Sequence, residues 1–450
     1  MTELAHALSD VVGSAVTGLR RLSAGASRET WSFDAGGRGL VLRRDPPGVP
    51  RPAEMAREAE CLRAVAAAGV PVPALVAWGD GSAEGSSDES TVGTPYLVME
   101  RVDGETLPQR LLRDDRWAPV RPRLPREFGR ALARIHGVDP AAVPSCEHVP
   151  DRLAALRAWH DTFGEPRPAL EIAFRWLAEH RPPDVAPALV HGDFRNGNVM
   201  VGDDGLRAVL DWELAHVGDP REDLGWVCTR AWRFGERPAV GGFGGRDELL
   251  DGYAEVAGHR PDPADVHWWE VFGSVHWAVI CRFQAERHLS GAERSLEMAV
   301  LGRRAVESEY DALLALGLVR PGPVTGGDTG NDTEPGPGPD RPTPDELLDA
   351  LAGFLTDELT TDDPRSRYLA RVARTGVGIL RREWRHGARD REEHHRRLAG
   401  IGCADDAALA TGIRDGTLGR GDDAVADAVR HDVLARLAVA NPRYAENEGQ

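Results

Sequence analysis

In the stretch Val190-His191-Gly192-Asp193-Phe194-Arg195-Asn196-Gly197-Asn198-Val199-Met200, and again in Ala208-Val209-Leu210-Asp211-Trp212-Glu213, oxygen-bearing side chains stand at the ends of short apolar segments. The lead-in Ala188 to Val190 presents His-Gly-Asp on a loop. Val199 to Val201 and the run ending at Asp211 read as two short paired strands, turned by Asp203-Asp204-Gly205. Such a set suits phosphoryl transfer. That reaction needs one carboxylate to orient and deprotonate an attacking hydroxyl, and oxygen ligands to hold Mg²⁺ against nucleotide phosphates. Asp193 can serve as the first, with Asn198 and Asp211 as the others. Asn occurs only five times in 450 residues, and two copies fall in this loop, which argues against side chains that merely serve turns.

The offset from Asp193 to Asn198 is that of the protein-kinase catalytic loop, with Asp211 where that pattern's second aspartate follows. The run HGDFRNGN…AVLDWELAHVGDPREDLGW resembles the aminoglycoside phosphotransferase family, a branch of the kinase-like fold. Within it, the chain is most similar to the phosphotransferase-like domains associated with acyl-CoA dehydrogenases. The resemblance implies an α+β, bilobal protein-kinase-like fold with an antiparallel-sheet N-lobe (1–102) and a mainly helical C-lobe (103–320). It implies ATP and Mg²⁺ as cofactors and a small-molecule hydroxyl as acceptor. Asp193 becomes the catalytic base, His191 the brace of its loop and Arg195 a cation near the transferred phosphate, with Asn198 and Asp211 as metal ligands. Asp223 becomes the helix carboxylate that supports the catalytic loop from beneath. For the acceptor, the resemblance points to a hydroxyacyl-CoA or a hydroxy acid, with an aminoglycoside-type antibiotic as the alternative. A nucleotide-binding scaffold without catalysis is the rival from another class.

These groups need a framework. Leu19 to Leu22, Trp31 to Phe33 and, after the turn Gly36-Gly37-Arg38-Gly39, Leu40 to Arg44 read as three strands. Between the first two, the small residues around Ser23, Gly25 and Ser27 let backbone N–H groups approach an anion, or simply join strands. In the kinase-like fold the third strand carries a phosphate-contacting lysine. This chain has no lysine among its 54 basic residues, and Arg43 takes that place. A guanidinium is a competent phosphate ligand, though longer and differently hydrated; a solvated strand end is the alternative reading of Arg43 and Arg44. Arg51 to Val65 is helical by composition and spacing. On it, the resemblance makes Glu58 the partner of Arg43, with Glu60 as rival. Leu75 to Trp78 and Tyr96 to Arg101 are two further strands. The kinase-like fold would place the backbone of Glu100 and Val102 against an adenine edge.

Beyond this point helices dominate: Leu124 to His136, Asp151 to His160, Ala169 to His180, His267 to Gln284 and Leu296 to Leu316. His136 reads as structural, and the three Trp of the fourth helix read as core packing. Gly218-Asp219-Pro220-Arg221-Glu222 reads as a helix start, with Asp219 as N-cap, Pro220 first and Glu222 completing a capping box. Residues 321–344 form a Gly/Pro/Asp/Thr linker. An all-helical domain follows (345–450), with segments Leu347 to Leu359, Pro364 to Trp384, Arg389 to Leu398, Asp405 to Ile413 and Asp422 to Val439. It carries no catalytic constellation and reads as a surface for docking or self-association.

The net charge of −18 argues against nonspecific nucleic-acid binding and against an anionic membrane surface. No apolar run reaches the roughly 18 residues a membrane span needs. The start of the sequence lacks signal-peptide features, and the five scattered cysteines suggest neither a zinc site nor a disulfide framework. A cytoplasmic location is the expectation.

Overall fold

The computed structural model describes residues 2–22, 28–81, 92–293, 296–322, 348, 351–359, 363–419 and 422–445. The chain packs as two compact units. One comprises Met1–Pro150 with Pro183–Trp269, the other Asp151–Pro182 with Glu270–Gln450.

The first unit opens with the helix Thr2–Val12 and the strands β1 (Val16–Arg21), β2 (Glu29–Ala35) and β3 (Arg38–Arg44). The helix Pro52–Ala67 and the strands β4 (Leu75–Gly79) and β5 (Tyr96–Glu100) follow. The strands form one antiparallel sheet in the order β1-β2-β3-β5-β4. Alternation decides what each face carries. Leu40 and Leu42 of β3 join Phe33, Val98 and Leu8 in one buried cluster. On the sheet's other side, Leu97 and Met99 of β5 pack with Met55, Ala59 and Leu62 of the helix Pro52–Ala67. Arg43 lies one residue out of phase with Leu42, so it points to the face where that helix holds Glu58.

The same unit continues with the helix Leu124–His136, the strands β6 (Ala188–Val190), β7 (Val199–Gly202), β8 (Gly205–Val209) and β9 (His216–Gly218), and the helices Arg221–Cys228 and Arg246–Ala257. β7 and β8 form the expected hairpin, whereas β6 pairs with β9, a pairing the sequence did not suggest. Helices Leu124–His136 and Arg246–Ala257 touch through reciprocal glycines. A Cβ on Gly129 would come 2.0 Å from the Leu249 carbonyl oxygen, and one on Gly252 2.1 Å from that of Arg126. This close approach lets His136 reach Tyr253 across the pair. Trp268 and Trp269 are buried and pack edge to face, centroids 4.8 Å apart, as packing expects. All five cysteines are free and buried; Cys61 and Cys146, distant in sequence, meet with their Sγ atoms 3.4 Å apart.

The second unit is helical among the described residues: Arg152–Asp161, Pro168–Glu179, the part of Pro263–Leu289 from Glu270 on, Leu296–Ala315, Pro364–Gly400, Asp406–Asp415 and Asp423–Ala440. Ile172, Val306, Tyr310, Leu409, Ile413, Val429 and Leu437 share its core. The expected break between Pro364 to Trp384 and Arg389 to Leu398 does not occur. A single helix of 37 residues runs through it. Gly387 lies inside that helix, where a glycine costs only about 1 kcal/mol relative to alanine and need not end it. Most of the linker and residues 345–347 lie outside the described residues. Leu351 to Glu358 is helical, with a π-turn over Phe354–Glu358. Among the described residues, no helix is long and apolar enough to cross a membrane.

At the centre of this unit Glu309 is fully buried between Arg167 (2.8 Å) and Arg436 (2.6 Å). Burial works to raise its pKa, but the two guanidinium charges outweigh burial and hold it at about 2, against an ordinary 4.5. A depressed carboxylate contributes stability that is fully present above its unfolded pKa and is lost as pH falls through the folded one. Between pH 4.5 and 2, acid titration followed by circular dichroism should therefore show this pair of contacts losing about 3 kcal/mol. The Glu309→Gln variant should lack that part of the pH dependence; an identical titration would contradict the assignment.

Candidate active site

After β6 the chain turns sharply at Gly192, whose φ is +80° and where a Cβ would lie 2.4 Å from the Leu214 carbonyl oxygen. Only glycine fits there, and the turn sets Asp193 at the head of the loop. Asp193 Oδ1 accepts hydrogen bonds from Trp226 Nε1 (2.8 Å) and Arg195 Nε (3.0 Å), and Oδ2 accepts one from Asn198 Nδ2 (2.5 Å). Asn198 Nδ2 also donates to the Asp193 carbonyl at 3.1 Å. Burial raises the Asp193 pKa; the Arg195 charge, the Trp226 hydrogen bond and His191 oppose the rise, and the balance stays above the ordinary value.

His191 is buried and ties the loop together. Its Nδ1 accepts the Asp193 N–H (3.1 Å), so Nε2 carries the proton and donates to the Leu210 carbonyl (3.0 Å). That bond links the Asp193 loop to the residue preceding Asp211. Beneath the loop, the fully buried Asp223 accepts the backbone N–H of His191 (2.8 Å) and of Gly192 (3.0 Å), together with His136 Nε2 (3.1 Å). The Tyr253 hydroxyl, 3.1 Å from His136 Nδ1, fixes that ring in turn.

Asp211 follows β8 with φ +66°, a backbone conformation uncommon outside glycine. Its Oδ1 accepts from Arg43 Nη2 at 2.8 Å, while Arg43 Nη1 holds Glu58 Oε1. Burial works to raise the Asp211 pKa, but the Arg43 charge and hydrogen bond outweigh it and hold the carboxyl below its ordinary range. Arg195 stacks its guanidinium over the Trp232 ring, 4.4 Å from the centroid.

Of the residues singled out in the sequence, His191, Asp193, Arg195, Asn198, Asp211, Arg43 and Glu58 lie in one connected set. Glu60 is not the partner of Arg43; it accepts from the Ser145 N–H and hydroxyl. Glu100 closes β5 and pairs with Arg38 at 3.4 Å, and Val102 follows in the connection after β5; neither is hydrogen-bonded to the set around Asp193. Ser23, Gly25 and Ser27 lie outside the described residues. Asp219 accepts the Arg221 N–H (2.9 Å), but the helix starts only at Arg221 and the capping box does not close, because Glu222 pairs with His216 (3.2 Å) instead.

Three residues escaped the sequence reading. Trp232 lies under Arg195. Arg28, just ahead of β2, holds Glu58 from the other side. Trp226 reaches Asp193 from the position three residues after Asp223, so one helix face carries both supports of the loop, and that spacing was the available signal. The Trp226 hydrogen bond favours ionised Asp193, so Trp226→Phe should raise its pKa further. The acidic limb of kcat should then move to higher pH, measured as a pH–rate profile; a limb that stays in place would contradict the contact's role.

The phosphotransferase enzyme family (APH) matches residues 18–259. The chain belongs to that family. The match covers the sheet and the Asp193, Asp211 and Asp223 segments alike. Residues 360–444 match a separate family described as a domain of unknown function, DUF6285. Among relatives, acyl-CoA dehydrogenase family member 10 of Mus musculus is 30% identical over 259 residues, which is 53% of this chain and 23% of the relative. Acyl-CoA dehydrogenase family member 11 of Gallus gallus is 31% identical over 224 residues, 46% of this chain and 27% of the relative. The chain thus spans about a quarter of the length of these relatives. A solved structure from Ralstonia eutropha, assigned as an aminoglycoside phosphotransferase, superposes with a TM-score of 0.55 at 23% identity, covering 70% of this chain and 98% of the other. Fold and family therefore agree with the motif at Asp193: this is an APH-type, kinase-like phosphotransferase fold with a sheet-based N-terminal part, a mainly helical remainder and further helices at the C-terminal end.

Proposed function

We propose that this phosphotransferase uses ATP to phosphorylate the hydroxyl of a small molecule, and that the molecule is a hydroxyacyl thioester or the corresponding hydroxy acid. One observation carries the reading: Asp193, Asn198, Asp211 and Arg43, which lie on four different segments or loop positions, converge through hydrogen bonds that run by way of His191 and Leu210. A scaffold that only bound nucleotide would have no chemical use for all of them.

Asp193 is placed to orient the acceptor hydroxyl and take its proton on the carboxylate. A pKa raised by burial makes it a better base than an ordinary exposed aspartate, while its hydrogen bonds from Trp226, Arg195 and Asn198 keep it in one rotamer. Arg195, immobilised on Trp232, is the cation next to the transferring phosphoryl group, a kind of contact worth about 2–4 kcal/mol in the transition state. Arg43 serves as the clamp for the nucleotide's inner phosphates. The backbone at Glu100 and Val102 meets the base, as in the fold these positions resemble.

The donor set fits Mg²⁺: a carboxylate oxygen of Asp211 and the amide oxygen of Asn198 are hard ligands. Among the described residues no three or more His, Cys, Asp or Glu side chains form a metal-holding group of their own. The two protein oxygens would hold the ion together with nucleotide phosphates, and the bound ion would neutralise phosphate charge.

The acceptor assignment follows the relatives. Two proteins named as acyl-CoA dehydrogenase family members contain a stretch similar to this chain, which supports an acyl-thioester hydroxyl ahead of an antibiotic. Release of ADP measured against a panel of hydroxyacyl-CoAs, free hydroxy acids and aminoglycosides tests it. Turnover with the first two groups is the expected result, and turnover with aminoglycosides alone would overturn the acceptor class. Thermal stabilisation by Mg-ATP with no transfer to any hydroxyl would favour the scaffold.

A further inference from the structure

Glu58 and Asp211 are not served alike by their cations. Glu58 has two guanidinium partners: Arg43 Nη1 on Oε1 and Arg28 Nη1 on Oε2. Arg28 is itself buried, with the carboxylates of Asp45 at 3.3 Å and Glu54 at 3.6 Å as further ion-pair partners, so its charge is held beside Glu58. Asp211 has one hydrogen-bonded guanidinium among the described residues, Arg43 Nη2 at 2.8 Å. Arg43 therefore bridges two carboxylates, one of which keeps a cation without it.

A divalent ion on Asp211 and a guanidinium on the same carboxylate repel one another, and the ion brings the larger charge to it. Resting on the site reading above, we propose that Arg43 and the divalent cation compete for Asp211. Arrival of the metal–nucleotide pair transfers Asp211 from Arg43 to the ion and releases Nη2 towards the phosphates. Arg28 acts as the positioning residue that makes this exchange tolerable, because it keeps Glu58 neutralised and the helix Pro52–Ala67 seated while Arg43 turns away. Arginine in place of the usual lysine then has a physical consequence. Its fork spans two carboxylates at once, where an ammonium offers a single compact charge.

Mn²⁺ binding to the full-length chain, followed by electron paramagnetic resonance with and without ADP, tests the exchange without reference to turnover. If Arg43 blocks Asp211 for all but a tenth of the time, Arg43→Gln should tighten Mn²⁺ binding in the absence of nucleotide by about tenfold. Arg43→Lys, the conservative variant should Arg43→Gln fail to fold, should tighten it by a smaller factor. Asp211→Asn should abolish the gain in either background. Mn²⁺ affinity that is unchanged or weaker in both Arg43 variants, while Asp211→Asn still lowers Mn²⁺ binding in the presence of ADP, overturns the competition alone. Mn²⁺ binding with ADP that is indifferent to Asp211→Asn overturns the metal-site reading and the competition with it.

Discussion

Asp193→Ala should lower kcat by about a thousandfold, the usual scale for loss of a positioned general base, while ADP affinity stays within about threefold of the parent. The two outcomes separate because of where the side chain points. Its oxygens are engaged by Trp226, Arg195 and Asn198, none of which is assigned to the base or the inner phosphates, and Asn198 has a second acceptor in the Asp193 backbone carbonyl, which alanine retains. Alanine removes the carboxylate acceptor of the Trp226 N–H and one of the two acceptors of the Asn198 amide, but Asp193 keeps some access to solvent, its side chain being 16% exposed, so water can take the vacated places at modest cost. Initial rates of ADP release together with calorimetric ADP titration measure the two quantities. Undiminished turnover would remove Asp193 from the chemistry.

Asp223→Ala should damage both fold and rate. One buried carboxylate accepts two consecutive backbone N–H groups and an imidazole N–H, and no solvent reaches the position to replace it. Each orphaned buried donor costs about 1–3 kcal/mol, so a local loss of about 4 kcal/mol is expected. Hydrogen exchange of the peptide spanning 188–200 should register that loss directly, and kcat should fall by about a hundredfold as Asp193 loses its fixed position. His136→Gln should reproduce a smaller part of both effects through the same carboxylate. Parent-like exchange protection in Asp223→Ala would contradict the support described for the loop.

The site was legible where chemistry depends on spacing along one stretch. His191, Asp193, Arg195 and Asn198 sit on one loop, and Asp211 lies two residues after the next hairpin strand, so short-range pattern singled out Asp193, Asn198 and Asp211, and the family resemblance added His191 and Arg195. The pairing of Arg43 with Glu58 came from the family resemblance, which left Glu60 as a rival; the structure joins Arg43 to Glu58 and gives Glu60 to Ser145. What escaped depends on contacts distant in sequence. Trp226 and Trp232 announce nothing on their own, and Arg28 is recognisable only once Glu58 is seen from the far side. In the fold, helix Leu124–His136 was readable from its apolar spacing. Arg246–Ala257 was not, because its mid-helix Gly252 lowers helix propensity in exchange for contact with Gly129. The helix Thr2–Val12 carries Leu4, Leu8 and Val11 at helical spacing, a signal that was present but unused. The β6–β9 pairing joins segments that are each three residues long, too short for any periodicity to show. That residues 151–182 pack with the C-terminal helices follows from partners more than 200 residues away, such as Arg414 on Glu171, which no local pattern announces.

A crystal structure of the chain with Mn²⁺ and a non-hydrolysable ATP analogue bears most directly on the central claim. The expected result is an ion about 2.1 Å from the Asn198 amide oxygen and an Asp211 oxygen, with the terminal phosphate facing Asp193 and Arg195 and with Arg43 withdrawn from Asp211. A nucleotide bound elsewhere, or an ion that leaves Asn198 and Asp211 untouched, would contradict it.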